Sequence, residues 1–99
     1  MPAYLIVNIE VTDPAAFERY RAAVPPVIAK HGGRYLVRGG ELRRLEGERP
    51  WHRIVVLEFP SRQAAEACYA DPDYAPLLAL RLASTKSDGV LVDGYAPTG

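Results

Sequence analysis

Asn8, Arg38 and Glu58 are the polar residues of this chain that strand alternation gathers most readily on one face. Their types suit the capture of a small carboxylate or carbonyl compound, with Arg38 as the anion partner, Glu58 as a candidate base and Asn8 as a neutral hydrogen-bonding group. The competing reading is structural, because Arg38 and Glu58 placed across neighbouring strands would form an ion pair that fixes register. His31 is the general-base candidate by intrinsic pKa, although its place after Lys30 and before Gly32-Gly33 also suits a helix-end cation. Tyr69 and Tyr74 bracket Asp71-Pro72-Asp73, and Arg81 follows one short helix later. These three are expected to join Asn8 and Arg38 in substrate binding, with the tyrosines at the cavity mouth. Two histidines, His31 and His52, are too few and too dispersed to hold a metal, so neither metal nor cofactor is expected.

The elements that must position these side chains are legible in turn. Residues 4–11, Tyr-Leu-Ile-Val-Asn-Ile-Glu-Val, alternate as a strand with Leu5, Val7, Ile9 and Val11 on one face and Tyr4, Ile6, Asn8 and Glu10 on the other. Asp13-Pro14 starts a helix, Pro25-Pro26 interrupts it, and Lys30-His31-Gly32-Gly33 ends it. A second strand is expected over 34–38, resuming through 41–45 after Gly39-Gly40. A turn over 46–50 leads to a third strand over 51–59, antiparallel to the second. A hairpin centred near Glu48 would set Arg38 across from Glu58. Ser61 caps the next helix, Asp71-Pro72-Asp73-Tyr74 breaks it, and residues 75–83 form another. Residues 84–88 read as a loop and 89–95 as the last strand. The order strand, helix, strand, strand, helix, strand is the ferredoxin-like βαββαβ arrangement, a four-stranded antiparallel sheet with helices on one face.

Ninety-nine residues, 48% of them hydrophobic, describe one globular domain over 1–99. Such a small domain is expected to find a partner for any sheet face its helices leave bare. Twelve basic residues balance twelve acidic ones, so no long-range field draws the protein to nucleic acid or anionic lipid. The single cysteine, Cys68, excludes an intrachain disulfide and reads as a packing residue. With no export signal and no apolar run of membrane-spanning length, the expected setting is cytoplasmic.

The runs Gly32-Gly33-Arg34-Tyr35-Leu36-Val37-Arg38-Gly39-Gly40, Glu58-Phe59-Pro60-Ser61 and Ala67-Cys68-Tyr69-Ala70-Asp71-Pro72-Asp73-Tyr74, with Arg81, closely resemble the family called domain of unknown function 1330, over about residues 3–95. Cys68 stands where that family often has tryptophan. The resemblance implies a homodimeric α+β barrel in which two ferredoxin-like subunits pack their open sheet faces together, each half enclosing a cavity. The wider superfamily includes cofactor-independent monooxygenases, muconolactone isomerases and stress-induced dimers, so the fold selects no activity.

Two functions follow as expectations. One is binding or cofactor-free conversion of a small organic carboxylate or carbonyl compound in the dimer cavity; the other is a non-catalytic ligand-binding or stress-related dimer. An RNA-binding module would need stacking aromatics in a basic surround, and an acylphosphatase-like enzyme a phosphate loop that Val11-Thr12-Asp13-Pro14 cannot supply. The chain also lacks a Ser-His-Asp set, zinc spacing and a dinucleotide fingerprint.

Overall fold

In the computed structural model, which describes residues 1–96, the chain runs β1 (Ala3–Val11), α1 (Pro14–Ala23), α2 (Pro25–Lys30), β2 (Arg34–Arg38), β3 (Arg53–Phe59), α3 (Arg62–Tyr69), α4 (Ala75–Ser84) and β4 (Thr85–Asp93). The strands form one antiparallel sheet in the order β2-β3-β1-β4. This is the ferredoxin-like topology. Alternation in β1 and β3 sends Val7, Ile9, Val55, Leu57 and Phe59 beneath the helices, where they pack with Phe17, Val24, Ile28, Ala65, Cys68 and Tyr74.

Local chemistry sets each junction. The Asp13 carboxylate accepts the Ala16 N–H at 3.2 Å, and Pro14 occupies the first helical position. Val24 closes α1 and opens α2, so the Pro25-Pro26 interruption produces a restart. Gly32 then takes φ +76°, the left-handed geometry that ends a helix. At Gly33 a Cβ would lie 2.7 Å from both Ile28 Cγ2 and Phe59 Cε1, so the chain can pass there only without a side chain. The Ser61 hydroxyl caps α3 through the Ala64 N–H at 3.1 Å. Cys68 is buried as a packing residue, and burial pushes its thiol pKa up.

Three expected boundaries change. Residues 41–45 do not resume a strand; 39–52 cross irregularly between β2 and β3, and β3 starts at Arg53 rather than Trp51. Nor do residues 84–88 form a loop, since α4 passes directly into β4 at Thr85. The helix satisfies its own last carbonyls: Ser84 Oγ donates to the Leu80 carbonyl at 2.7 Å and Thr85 Oγ1 to the Arg81 carbonyl at 2.6 Å. The Ser84 carbonyl in turn accepts the N–H groups of Thr12 and Asp13 at 2.9 and 3.1 Å. With its end partnered, α4 needs no connecting turn, and β4 pairs with β1 from Val11↔Thr85 to Ala3↔Asp93.

The face of the sheet away from the helices has its own order. One register row carries Val37, Val56, Ile6 and Val90 across all four strands. A row on one side carries Arg34, Glu58, Tyr4 and Val92, and one on the other carries Ile54, Asn8 and Asp88. Val37, Val90 and Val92 are exposed there.

Candidate functional site

Strand β2 decides where Arg38 points. Arg34 pairs with Glu58 and Tyr35 with Leu57, but Val37 then pairs with Val56 and Arg38 with Val55, so Leu36 is an extra residue in the ladder. A one-residue slip moves all following side chains to the opposite face. Arg38 therefore lies on the helix side, and the expected Arg38–Glu58 pair is replaced by Arg34–Glu58, Nε to Oε1 2.8 Å. Arg38 instead stacks 4.4 Å over the Tyr35 ring and donates to the Arg21 carbonyl at 2.6 Å. Asn8, Arg38 and Glu58 consequently do not form one site.

A different group of polar residues meets between sheet and helices. A small cavity of about 30 Å³, room for roughly two waters, is bordered by Tyr20, Tyr35, Arg38, Arg53, Tyr74 and Arg81 over an apolar floor of Leu5, Val7, Val55 and Leu57. Arg81 projects into it from the buried side of α4, only 5% exposed. Its Nη1 donates to Ser87 Oγ at 2.9 Å and its guanidinium lies 6.0 Å from the Tyr20 ring centre, while its Nε has no partner. Arg53 is similar, with Nε unpartnered and its guanidinium 5.6 Å from the Phe17 ring centre. Among the described residues no carboxylate lies within ion-pairing distance of Arg38, Arg53 or Arg81.

Burial is the first cause of the pKa shifts of Tyr20, Tyr35 and Arg53 here. Burial, followed by the nearby Arg21 and Arg38, lowers the pKa of Arg53. Burial drives the Tyr20 phenol far above its ordinary range, with Tyr74 reinforcing the shift. Tyr35 also rises through burial, with Arg38 opposing. At neutral pH these phenols are therefore protonated donors around the guanidiniums, a set suited to a carboxylate or carbonyl oxygen.

Beyond Arg81 a second, larger slot of about 310 Å³ opens between α3, α4 and β4, bordered by Leu5, Val7, Ala65, Tyr69, Ser87, Gly89 and Leu91. Tyr69 meets Tyr74 edge to face, their ring centres 5.5 Å apart. The sequence-predicted Arg38, Tyr74 and Arg81 thus share the small cavity, while Tyr69 and Arg81 share the slot.

The remaining candidates lie elsewhere. Glu58 stands on the open sheet face, accepting from Tyr4 Oη at 3.0 Å as well as from Arg34. Arg34 first and Tyr4 second hold its carboxyl below the usual range, which makes it a weak base. Asn8 ties down the crossing segment, donating to the Pro50 carbonyl at 3.2 Å and accepting the His52 N–H at 2.9 Å. His31 Nε2 sits 2.7 Å from Asp71 Oδ2, which also binds Lys30 Nζ at 2.7 Å. That cluster latches the end of α2 to the α3–α4 break. Among the described residues no group of three or more His, Cys, Asp or Glu could hold a metal ion, and no helix is long and apolar enough to cross a membrane.

Tyr20, Tyr35, Arg53 and Ser87 were absent from the sequence-derived set. Arg53 had a signal: it shares strand parity with Val55, Leu57 and Phe59, so alternation already assigns it to the buried face. Ser87 had none while residues 84–88 read as a loop.

Fold and site together define a ferredoxin-like α+β domain with a cationic, tyrosine-lined cavity under its helices. The chain belongs to the family described as domain of unknown function (DUF1330), whose model matches residues 2–95. No curated protein matches it. Among solved structures it is similar to the RPA0582 protein of unknown function from Rhodopseudomonas palustris, with 20% identity and TM-score 0.81 over 97% of this chain and 84% of that one. A dimeric ferredoxin-like protein of unknown function from Thermobifida fusca shares 17% identity at TM-score 0.65, over 95% of this chain and 92% of that one. SnoaB, a cofactor-independent oxygenase from Streptomyces nogalater, shares 20% identity at TM-score 0.62, over 96% and 94% of the two chains. At these identities the likeness establishes the fold.

Proposed function

We propose that this protein binds a small organic carboxylate or carbonyl compound, without a cofactor, with the carboxylate or carbonyl group held at Arg81 beside the small cavity between its sheet and helices, and that it does so as a homodimer. The observation that carries the reading is Arg81, buried, with an unpartnered Nε and, among the described residues, no carboxylate within ion-pairing distance. A buried guanidinium without a counter-charge costs several kcal/mol, which an anionic or strongly accepting ligand offsets. Arg38, Arg53, Tyr20, Tyr35 and Tyr74 supply further donors to the same space.

Binding is favoured over turnover, because the residues bordering the small cavity include no carboxylate or imidazole to take a proton. Glu58 and His31, the bases expected from sequence, are engaged elsewhere with Arg34 and Asp71. The homodimer is supported by the apolar row Val37, Val56, Ile6 and Val90 on the uncovered sheet face.

The test is a thermal-shift titration with acetate, benzoate and pyruvate on the wild-type protein and on Arg81→Met. A ligand at 100 times its Kd stabilises the folded state by about 2.7 kcal/mol, so the wild-type midpoint rises with at least one compound while Arg81→Met, still folded by circular dichroism, does not respond. Equal shifts in both proteins, or none in either, would sink the reading.

A further inference from the structure

We propose that the ligand is a monoanion with an apolar body, its charged head on Arg81 and its body lying in the slot between α3, α4 and β4. The inference rests on the binding reading above and adds the class of compound. Arg81 borders both the small cavity and the slot, as do Leu5 and Val7, and its partner Ser87 also borders the slot, so Arg81 is the charged residue common to the two spaces. The small cavity, about 30 Å³, cannot hold more than a few atoms; the slot, about 310 Å³, holds the body of a small organic molecule.

The chemistry of the slot is one-sided. Leu5, Val7 and Leu91 supply its sheet wall, and among the described residues Arg81 is the one cation that borders it. Among the described residues Glu66 is the one acid that borders it, and it disfavours a ligand carrying a second negative charge. Gly89 explains why the space exists. It pairs with Val7 across the β1–β4 ladder and so shares the helix-side face, where it leaves the sheet bare. Backbone strain is not the reason for glycine there. A Cβ at that position would meet Val7 Cγ2 and Cγ1 at 3.7 and 4.0 Å, ordinary contacts. A valine at 89 therefore suits the strand and occupies the slot.

The experiment is isothermal titration of straight-chain monocarboxylates from acetate to octanoate, and of the dianion glutarate, into wild type, Gly89→Val and Arg81→Met, with thermal denaturation confirming that each variant folds. In the wild type, affinity rises with chain length, by up to about fourfold per buried methylene, and pentanoate binds more tightly than glutarate. Gly89→Val loses the gain with length. Arg81→Met loses binding at every length. Acetate binding that depends on Arg81 with no gain along the series would overturn the apolar-body inference and leave the anion site standing. A gain that survives Gly89→Val, or glutarate binding as tightly as pentanoate, would also overturn it. Absence of any Arg81-dependent binding would remove both readings.

Discussion

Arg81 and Asp71 show two opposite treatments of a buried charge. Arg81 has Ser87 and the Tyr20 ring beside it but, among the described residues, no anion, so the unliganded protein bears its desolvation. Replacing such a group by an apolar side chain of similar length removes that cost, and Arg81→Met is expected to be neutral or up to about 2 kcal/mol more stable in chemical denaturation. A large loss of stability would mark the arginine as a structural element. Asp71 is the compensated case, held by Lys30 and His31 and by the Asp73 N–H at 2.8 Å. Lys30 first, then His31, drive its carboxyl far below the ordinary range. The unfolded-state value is about 3.9, and a folded pKa below it means that the stabilisation is complete above about pH 5 and fades as pH falls through the carboxylate range. Asp71→Asn is expected to flatten this acid limb in denaturation midpoints measured from pH 7 to pH 3. An unchanged acid limb would show that Asp71 does not govern it.

At the scale of elements, the junctions carry the information that the strands and helices alone do not. Gly33 joins α2 to β2 where two core side chains leave no room for a Cβ. Gly33→Ala is therefore expected to cost about 1–3 kcal/mol, the usual range for overpacking a filled core, measured by urea denaturation. A loss under 0.5 kcal/mol, an order-of-magnitude threshold for ordinary surface substitutions, would mean that Ile28 and Phe59 yield freely. Much of the frame was legible because alternation in residues 4–11 and the caps at Asp13 and Ser61 are local signals. Period-two counting puts Arg38 on the open face, and it fails for an equally physical reason: the Leu36 bulge depends on pairing with β3. In the first half of β4, Lys86 and Asp88 read as loop residues, whereas their alternation with Ser87 and Gly89 continues a strand along β1. Arg81 was visible as a candidate, and its four-residue spacing from Leu77 explains its burial on the packed side of α4. Its lack of a counter-charge depends on three elements meeting and has no sequence signature.

At the scale of the molecule, the helices cover one side of the sheet and leave the other with an apolar row flanked by rows that are mostly polar. Val37, Val56, Ile6 and Val90 run across all four strands, with Arg34, Glu58 and Tyr4 beside Val92 on one flank and Asn8 and Asp88 beside Ile54 on the other. That is the pattern of a protein interface, an apolar centre inside a polar rim, and a small domain gains most from covering such a face. The partner that suits it best is a second copy, because a two-fold axis through the centre of the row would bring the same valines and isoleucine together from both subunits. Val56 on the central strand β3 is the position to change, since an arginine there would bury a charge in the middle of the interface while leaving the helix-side core untouched. Sedimentation equilibrium is expected to give twice the 10.9 kDa chain mass for the wild type and a single chain mass, or concentration-dependent aggregation, for Val56→Arg. Because Arg81 and its slot lie on the opposite side of the sheet, the arginine variant in its soluble monomeric form should still bind a carboxylate. A wild-type monomer, or a Val56→Arg dimer of undiminished affinity, would show that this face is not where two chains meet.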